Sequence, residues 1–502
     1  MRYGTSIFVA MAALWFAAVA CSRGVSSPPM ASSPEAALEP TLASSARPAP
    51  GATLPASPGQ ERTFYVAPDG DDASPGTRAQ PWRNPAAAVA RLKPGDTLVL
   101  LPGTYPLADY ERDILRPPSG QEDRWIVIRG EADQPYPVLA GQDNLAAVVD
   151  LSGARYVRLE HLEITHNPQA ADPRVRDGLL VAGAPAGPLV LYDLYVHHVD
   201  EFGMNLQDVD DVLIADTRIT HAGFGALGGP AGEHGGWRAV TIRDTLLAYS
   251  GHYYQGGDGR NRPYDRPDGL GIEASEGPIV LERVRAEHNY GDGLDSKAAV
   301  TLIRDSVVAN NTCDGIKLWG REGVLENVLV YGRGDGDATV TPWAALVVDT
   351  TTPHAQFTLT HVTLDDALGH NYLLYVQYDH PDVPVQLTWR NVILSARGPE
   401  SPVYLAPGVT LDAQAALFHF PQNPTVLVHR DTSYSCQNLA MLGTDLLCGD
   451  PLFAHPAWGE QGDYHVGPGS PARDAGVATP VTHDLEGHPR DARPDLGAYE
   501  AP

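Results

Sequence analysis

The sequence predicts an all-β protein built as a right-handed parallel β-helix, and two observations lead to this prediction. A Gly followed by an apolar residue recurs with spacings of 25, 22, 44, 24 and 22 residues, at Gly178, Gly203, Gly225, Gly269, Gly293 and Gly315. Two further short β-rich runs lie between most of these anchors, which leaves no room for a crossover helix. Three short strands per repeat fit a coil whose strands pair in parallel with those of its neighbours.

The solenoid is predicted to cover residues 62–450 and to begin with a short capping helix. Asn84 and Pro85 suit the N-cap and the first helical position, and residues 86–92 are apolar enough to cover the first coil. About a dozen coils, at roughly 4.8 Å per strand, would form a rod on the order of 55–60 Å long. Residues 451–502 are predicted to close the solenoid, because a solenoid needs covered ends.

The charge of the chain argues against one class of partner. Asp and Glu number 62 against 35 Lys and Arg, so the formal net charge is -27. Nucleic-acid binders need a basic face, and we therefore expect no nucleic acid as partner. Among the basic residues just three are lysines, namely Lys93, Lys297 and Lys317. Lys93 follows the predicted capping helix, where a cation suits the helix dipole, so two lysines are left to explain.

The beginning of the chain predicts export. Residues 1–21 carry Arg2, an apolar run and then small residues, which is typical of an export signal. Small residues directly before Cys21 resemble a bacterial lipoprotein cleavage box, although an ordinary Ala-x-Ala cleavage site also fits. Residues 22–61 are rich in Ala, Ser and Pro and are predicted to be a disordered tether. We therefore expect an extracytoplasmic monomer that is either secreted or held at a membrane by a lipid on Cys21.

The remaining cysteines predict one local crosslink. Cys436 and Cys448 are close in sequence and lie in a chain that is predicted to be exported, so we expect a disulfide between them. If Cys21 is lipidated, Cys313 would then be unpaired, and we expect it to be a buried, small apolar residue.

The alternation of side chains along the anchor strands predicts a groove. With Leu294 pointing inward, Asp295 and Lys297 point outward. Stacking the coils then predicts two outward columns: Asn205, Gly271, Asp295, Lys317 and Val347, and beside them Gln207, Glu273, Lys297, Trp319 and Asp349. This register places both unexplained lysines among carboxylates, beside a Tyr-rich insertion that ends at Pro267.

Several motifs resemble those of known proteins. The run at 65–77 and the segments at 469–476 and 495–500 resemble the two ends of bacterial right-handed β-helix carbohydrate-active proteins. The coils Asp292-Gly293-Leu294-Asp295-Ser296-Lys297 and Cys313-Asp314-Gly315-Ile316-Lys317 are nearest in motif to the family 9 pectate lyases. In that family, Asp residues on these coils bind calcium and a Lys on a later coil is the base. Asp292 and Asp314 match the family pattern, but Cys313 and Lys317 stand where it has Asp, and no Lys follows Lys317.

The resemblance implies a polysaccharide lyase acting on an acidic glycan, and the groove holds residues for that chemistry. Calcium bound by Asp292, Asp295 and Asp314 would neutralise a uronate carboxylate. Lys297 or Lys317 would be the base if burial or neighbouring cations lower its pKa. The candidate substrate-binding residues are Tyr253, Tyr254, Tyr264 and Trp319 for stacking on sugars, Arg260 and Arg262 for carboxylates, and Glu273.

The same residues permit other interpretations. Asp-Gly before a strand is a turn signal, so Asp268, Asp292 and Asp314 fit turns as well as they fit metal ligands. The outward charges also fit a solvated ladder. Besides a lyase, two functions stay open: a glycoside hydrolase that uses Glu273 with Asp295, and a surface glycan-binding or structural protein without turnover.

Overall fold

The structure is a computed structural model that describes residues 62–257, 259 and 267–501. The predicted export signal, the tether and Cys21 lie outside the described residues, as do Arg260, Arg262 and Tyr264. Within the described part of the chain, the predicted all-β solenoid of parallel strands is confirmed.

Strands make up most of the regular structure, together with one α-helix, α1 (Pro85–Val89), and one 3-10 helix (Leu439–Met441). The first half of the strands comprises β1 (Arg62–Val66), β2 (Asp96–Leu100), β3 (Thr104–Leu107), β4 (Ile126–Gly130), β5 (Val138–Gly141), β6 (Leu145–Asp150), β7 (Val157–His166), β8 (Val175–Val181), β9 (Leu189–Val199), β10 (Phe202–Leu206), β11 (Val209–Ala215), β12 (Arg218–Ala222), β13 (Gly225–Gly229), β14 (Trp237–Ala248) and β15 (Asp268–Ser275). The second half comprises β16 (Ile279–Glu287), β17 (Leu294–Ala298), β18 (Val300–Ala309), β19 (Ile316–Leu318), β20 (Glu322–Tyr331), β21 (Ala344–Val348), β22 (Ala355–Asp366), β23 (Tyr372–Val376), β24 (Val385–Ala396), β25 (Val403–Leu405), β26 (Val409–His419), β27 (Leu427–His429), β28 (Thr432–Tyr434), β29 (Gly443–Cys448), β30 (Phe453–His455) and β31 (Asp463–Val466).

Two sheets run along the solenoid. The short-strand sheet has 12 strands in the order β28-β27-β25-β23-β21-β19-β17-β15-β13-β10-β8-β6, so each coil contributes one anchor strand to it. The long-strand sheet has 17 strands and holds the rest of each coil. Among the described strands, the antiparallel pairs are β27 with β28 and β30 with β31.

The second and third predicted runs of most coils are joined in one long, bent strand. In β9, β14 and β18 the corner between the two runs is formed by one Asp in the left-handed region: Asp193 (φ 51), Asp244 (φ 50) and Asp305 (φ 48). Asp tolerates this conformation better than most non-glycine residues. The prediction of three runs per coil therefore holds, and a one-residue corner joins the second run to the third.

The core is a column of apolar side chains that repeats once per coil. The inward residues of the short-strand sheet lie in register and are almost fully buried: Leu179, Met204, Leu227, Leu270, Leu294, Ile316, Leu346 and Leu374. Each buried side chain of this kind contributes roughly 1.5–3 kcal/mol. The inward register of Leu294 agrees with the prediction and fixes which neighbours face outward.

The capping helix α1 is shorter than predicted. The side chain of Asn84 accepts a hydrogen bond from the Ala87 amide at 2.9 Å, and Val89 packs into the core. The helix ends at Val89 with no basic residue in its last turn, so the explanation of Lys93 as a helix-end cation is wrong. No helix within the described ranges has the length and apolarity to cross a membrane.

The C-terminal segment packs along the side of the solenoid, whereas we expected it to close an end. The indole of Trp458 donates to the Arg333 carbonyl at 2.9 Å, and the side-chain amide of Asn310 donates to the Glu460 carbonyl at 2.9 Å. Further along, the amide of Asn327 donates to the His483 carbonyl at 2.8 Å. The segment therefore covers the outward face of the long strands.

A disulfide joins Cys436 to Cys448, with 5.8 Å between their Cα atoms. Cys313 is buried at 1% exposure, as expected, but the expectation that it is unpaired is wrong, because it is disulfide-bonded and none of the described cysteines is a free thiol.

Candidate functional site

The candidate site lies on the outward face of the short-strand sheet, where β15, β17 and β19 are neighbours. Gly271 pairs with Asp295, Asp295 with Lys317, and Lys317 with Val347. This is the predicted outward column, except that Gly228 stands between Asn205 and Gly271. Coil stacking therefore brings the charged residues of three successive coils together.

The Asp residues of the Asp-Gly anchors form a hydrogen-bonded ladder. Oδ1 of Asp268 accepts from the Asp292 amide at 2.7 Å, and Oδ1 of Asp292 accepts from the Asp314 amide at 2.9 Å. Oδ1 of Asp314 accepts from the Ala344 amide at 2.8 Å. One carboxylate oxygen of each residue thus has the structural role that the turn interpretation assigned to it. The second oxygen, Oδ2, faces Lys317 in Asp292 and in Asp314.

Lys317 is buried between two of these carboxylates. Its Nζ lies 2.8 Å from Oδ2 of Asp292 and 2.8 Å from Oδ2 of Asp314, and 4.7 Å from the ring centre of Trp343. Burial acts to lower the pKa of Lys317, but Asp292 and Asp314 outweigh it and raise that pKa well above its ordinary value. Lys317 is therefore a fixed ammonium, enclosed by two carboxylates and out of reach of solvent.

Lys297 lies at the rim of the same site. Its side chain is 36% exposed, against 7% for Lys317, and its Nζ lies 2.8 Å from Glu273 and 3.7 Å from Asp295. Burial acts to lower the pKa of Lys297, but Asp295 and Glu273 raise it above its ordinary value. Lys297 is therefore also protonated at neutral pH, so the lowered pKa that we expected of a base is found at neither lysine. Unlike Lys317, Lys297 reaches the solvent side of the groove.

The four carboxylates Asp268, Asp292, Asp295 and Asp314, here called the acidic cluster, are crowded. Burial, followed by the neighbouring Asp292, raises the pKa of Asp268 well above its ordinary value. Burial also raises the pKa of Asp295, although Lys297 opposes the shift. Crowding thus disfavours the charged form of these carboxyls, and a bound cation would favour it.

Three residues of the acidic cluster could hold that cation. Ligand oxygens of Asp268, Asp292 and Asp295 lie within 4.8 Å of one another. We predicted Asp314 as the third ligand, but it lies outside this group and faces Lys317, and Asp268 takes its place. Hard carboxylate oxygens suit calcium, so the donor set fits that ion. The neighbouring outward position is Gly271, whose missing side chain leaves the space beside Asp268 and Asp295 open.

The predicted substrate-binding residues are divided among different places. Trp319 is half-buried, and its indole donates to Oδ1 of Asp295 at 2.6 Å, so it belongs to the site. Glu273 is exposed at the rim. The ring of Tyr253 packs at 5.2 Å from His166 and 4.9 Å from His198, on earlier coils than Lys297. Tyr254 is half-buried on the same loop.

The sequence interpretation missed a group of aromatic residues on the following coils, here called the aromatic platform: Trp343, Tyr372, Tyr375, Tyr378 and Tyr404. Three of its tyrosines occur three residues apart in Tyr372-Leu373-Leu374-Tyr375-Val376-Gln377-Tyr378. A search for aromatic residues near the outward column would have found Tyr375 and Tyr404. It would not have found Trp343, which precedes its strand.

The fold and this outward groove define the class of right-handed parallel β-helix proteins. Residues 64–324 match the family described as "Pel9A-like, right handed beta helix region". The match covers more than half of the chain, and the chain therefore belongs to this family. It includes the whole acidic cluster, whereas the aromatic platform lies beyond it. The predicted resemblance is thus confirmed at the level of the family and the fold.

Solved structures with a similar fold are only distantly related in sequence. XylC in complex with xylose has a TM-score of 0.58 at 9% identity, covering 87% of this chain and 98% of that one. The A-module of the mannuronan C-5 epimerase AlgE6 of Azotobacter vinelandii has a TM-score of 0.53 at 14% identity, covering 73% and 93%. Pectate lyase Pel9A has a TM-score of 0.43 at 14% identity, covering 89% and 98%. Among curated proteins, none matches the sequence.

Proposed function

We propose that this protein is a polysaccharide lyase that cleaves a uronate-containing glycan by calcium-assisted β-elimination. The observation that carries the proposal is the acidic cluster with two lysines on the open face of a long solenoid. Membership of the Pel9A-like family supports it. The similar fold of a protein named as a mannuronan C-5 epimerase supports a sugar polymer as the ligand.

The proposed reaction needs a base next to a neutralised carboxylate. The base removes the proton at C5 of the uronate, and the electron pair forms a C4=C5 double bond. The C4–O bond to the next sugar then breaks, and the leaving oxygen takes up a proton. Asp268, Asp292 and Asp295 would hold calcium, which when bound neutralises the uronate carboxylate and so acidifies the C5 proton.

We assign the base to Lys297 and a positioning role to Lys317. Lys297 is the more exposed of the two and lies at the rim, where a sugar can approach it. Lys317 holds Asp292 and Asp314 in place through two 2.8 Å contacts. Since Asp295 and Glu273 keep the pKa of Lys297 raised, we expect the rate to rise with pH into the alkaline range.

The test is an assay for unsaturated products. Purified protein is incubated with polygalacturonate, alginate or glycosaminoglycans, with calcium or a chelator, and ultraviolet absorbance of the C4=C5 bond is followed. We expect calcium-dependent absorbance on one of these polymers, and a loss of about 10²–10⁴-fold in turnover for Lys297→Ala. The matched control is Lys93→Ala, which removes the lysine outside the groove. Full activity of Lys297→Ala would refute the assignment of the base.

A glycoside hydrolase is the second candidate. Burial raises the pKa of Asp295, which suits a general acid, and Glu273 on the adjacent coil is a candidate for the base or nucleophile. New reducing ends without ultraviolet absorbance would establish hydrolysis and refute the lyase. Binding of a glycan without either product would identify a non-catalytic glycan-binding protein.

The proposed location is outside the cytoplasm, at a membrane or in the medium. It follows from the predicted export signal at residues 1–21 and the Cys at position 21. Mass spectrometry of the N-terminal peptide of the mature protein tests it. A diacylglyceryl group on Cys21 would establish the lipid anchor, and an unmodified N-terminus would indicate secretion.

A further inference from the structure

The aromatic platform consists of five rings that pack against one another in tilted or T-shaped pairs, on β23 and β25 and on the residues next to β21 and β23. Ring centres of Tyr372 lie 5.9 Å from Tyr375, 5.7 Å from Tyr378 and 5.5 Å from Tyr404. Trp343 lies 6.0 Å from Tyr375. Tyr375 is buried at 3% exposure beneath its neighbours, but Tyr378 is 50% exposed and Tyr372, Tyr404 and Trp343 are half-buried, so these four rings present apolar surface to solvent.

The platform continues the candidate site along the same face. Lys317 pairs with Val347, Val347 with Tyr375, and Tyr375 with Tyr404, so the rings extend the outward column of the acidic cluster. Three coils at about 4.8 Å place Tyr404 roughly 14 Å beyond Lys317. The ammonium of Lys317 lies 4.7 Å from the ring centre of Trp343, so the two regions are in contact. A polymer bound at the acidic cluster and lying along this face would pass over the platform.

The charged groups that act on the tyrosines of the platform are mostly carboxylates. Burial raises the pKa of Tyr404, and so does the carboxylate of Asp431. Asp379, which is exposed, acts on Tyr375 in the same sense, after burial and Asp314 and against Lys317. Asp349 is buried and bonded to Nδ1 of His380 at 2.6 Å, so it presents no charge to a ligand. Because like charges repel at contact, the exposed carboxylates of Asp379 and Asp431 disfavour a uronate on the platform. Aromatic faces next to such carboxylates instead suit the apolar C–H faces of an uncharged pyranose.

We propose that the aromatic platform is a binding site for uncharged sugar rings of the same polymer whose uronate occupies the acidic cluster. The proposal rests on the proposed function for the identity of that polymer. It implies a substrate that carries both uronate and neutral sugars, on a backbone or as side chains. A homopolymer of uronate would leave the platform unused.

The test measures binding of neutral oligosaccharides to the full protein by calorimetry. The probes are xylohexaose, mannohexaose and β-1,4-galactohexaose, with hexagalacturonate as the charged comparison. We expect at least one neutral probe to bind, and Tyr378→Ala to bind it about tenfold more weakly, which corresponds to about 1.4 kcal/mol of lost apolar contact. Tyr378→Phe keeps the ring and is expected to bind as the wild type does. Tyr110→Ala, which removes another exposed tyrosine at 57% exposure, is the control for surface change.

The outcomes separate this proposal from the proposed function. Binding of a neutral oligosaccharide that depends on Tyr378 supports the proposed sugar site on the platform, even if the protein shows no lyase activity. The proposed sugar site is overturned if no neutral probe binds, or if the wild type and Tyr378→Ala bind the neutral probes equally well. Either result overturns it even if polygalacturonate is cleaved. Equal weakening of hexagalacturonate and neutral probes by Tyr378→Ala also overturns it, because the site would then not discriminate by charge.

Discussion

The acidic cluster and the aromatic platform occupy equivalent outward positions on one sheet, yet they differ in what holds them together. In the acidic cluster, Lys317 is 7% exposed and contacts two carboxylates at 2.8 Å. In the platform, neighbouring rings pack against one another at 5.5–6.0 Å. Buried charge requires a partner of opposite sign, whereas aromatic rings require apolar contact alone. The first region should therefore respond to loss of a charge, to cations and to salt, and the second should not.

The largest expected effect is the loss of the buried ammonium. Lys317→Met leaves Asp292 and Asp314 without their counter-ion, so we expect the free energy of unfolding to fall by about 3–5 kcal/mol. Lys297→Met, at the rim, should cost no more than about 1 kcal/mol. Guanidinium unfolding followed by circular dichroism measures both. Equal losses would mean that the burial of Lys317 does not distinguish the two lysines.

The next effect is stabilisation by calcium. At a hundredfold excess over its dissociation constant, an ion that binds the native state adds about 2.7 kcal/mol to the free energy of unfolding. We expect calcium to raise the melting temperature of the wild type and of Asp412→Asn, an exposed acid elsewhere. Asp268→Asn should abolish the shift. A shift that survives in Asp268→Asn would show that calcium binds elsewhere.

A third prediction tests whether a lysine is what keeps an anchor Asp charged. Asp177 occupies the same anchor position on an earlier coil, where no lysine lies beside it. Its carboxylate accepts a hydrogen bond from the side-chain amide of Asn205 at 3.0 Å. Burial, together with the charge of Glu201, raises the pKa of Asp177 to about 7. The unfolded chain releases this proton near pH 4, so the native state binds more protons between about pH 4 and 7.

The unfolding free energy should therefore fall as pH rises through that window, by up to about 1.4 kcal/mol per pH unit from this group. Asp177→Asn should remove this part of the slope, and Asp412→Asn should keep it. Denaturant unfolding at several pH values measures the difference. Parallel pH profiles for the wild type and Asp177→Asn would contradict the raised pKa.

The smallest expected effect is the response of binding to salt. Between about 0.1 M and about 1 M salt, the screening length falls from about 10 Å to about 3 Å. Hexagalacturonate held at the acidic cluster should lose affinity severalfold, whereas a neutral hexasaccharide on the platform should keep its affinity. Calorimetry at the two salt concentrations provides the comparison. Salt-sensitive binding of the neutral probe would mean that it binds at the acidic cluster.

The sequence allowed part of this site to be predicted. The inward position of Leu294 and the alternation of side chains placed Asp295 and Lys317 in one column, and the register agrees. The repeat could not show that Asp268 joins Asp292 and Asp295, because it gives the order of the coils but not how far apart their side-chain oxygens lie. Tyr253 was expected beside the lysines, but its ring packs against His166 and His198, since the repeat carries no information about the course of an insertion.

The sequence by itself determined the solenoid, its all-β coils and the outward face, because a constant repeat and a period of two leave little choice of architecture. Tertiary structure decided which lysine is a buried counter-ion and which lies at the rim. It also decided that tyrosines three residues apart join Trp343 and Tyr404 in one platform. The burial and charge of a side chain depend on the coils before and after it, and those neighbours come together when the coils stack.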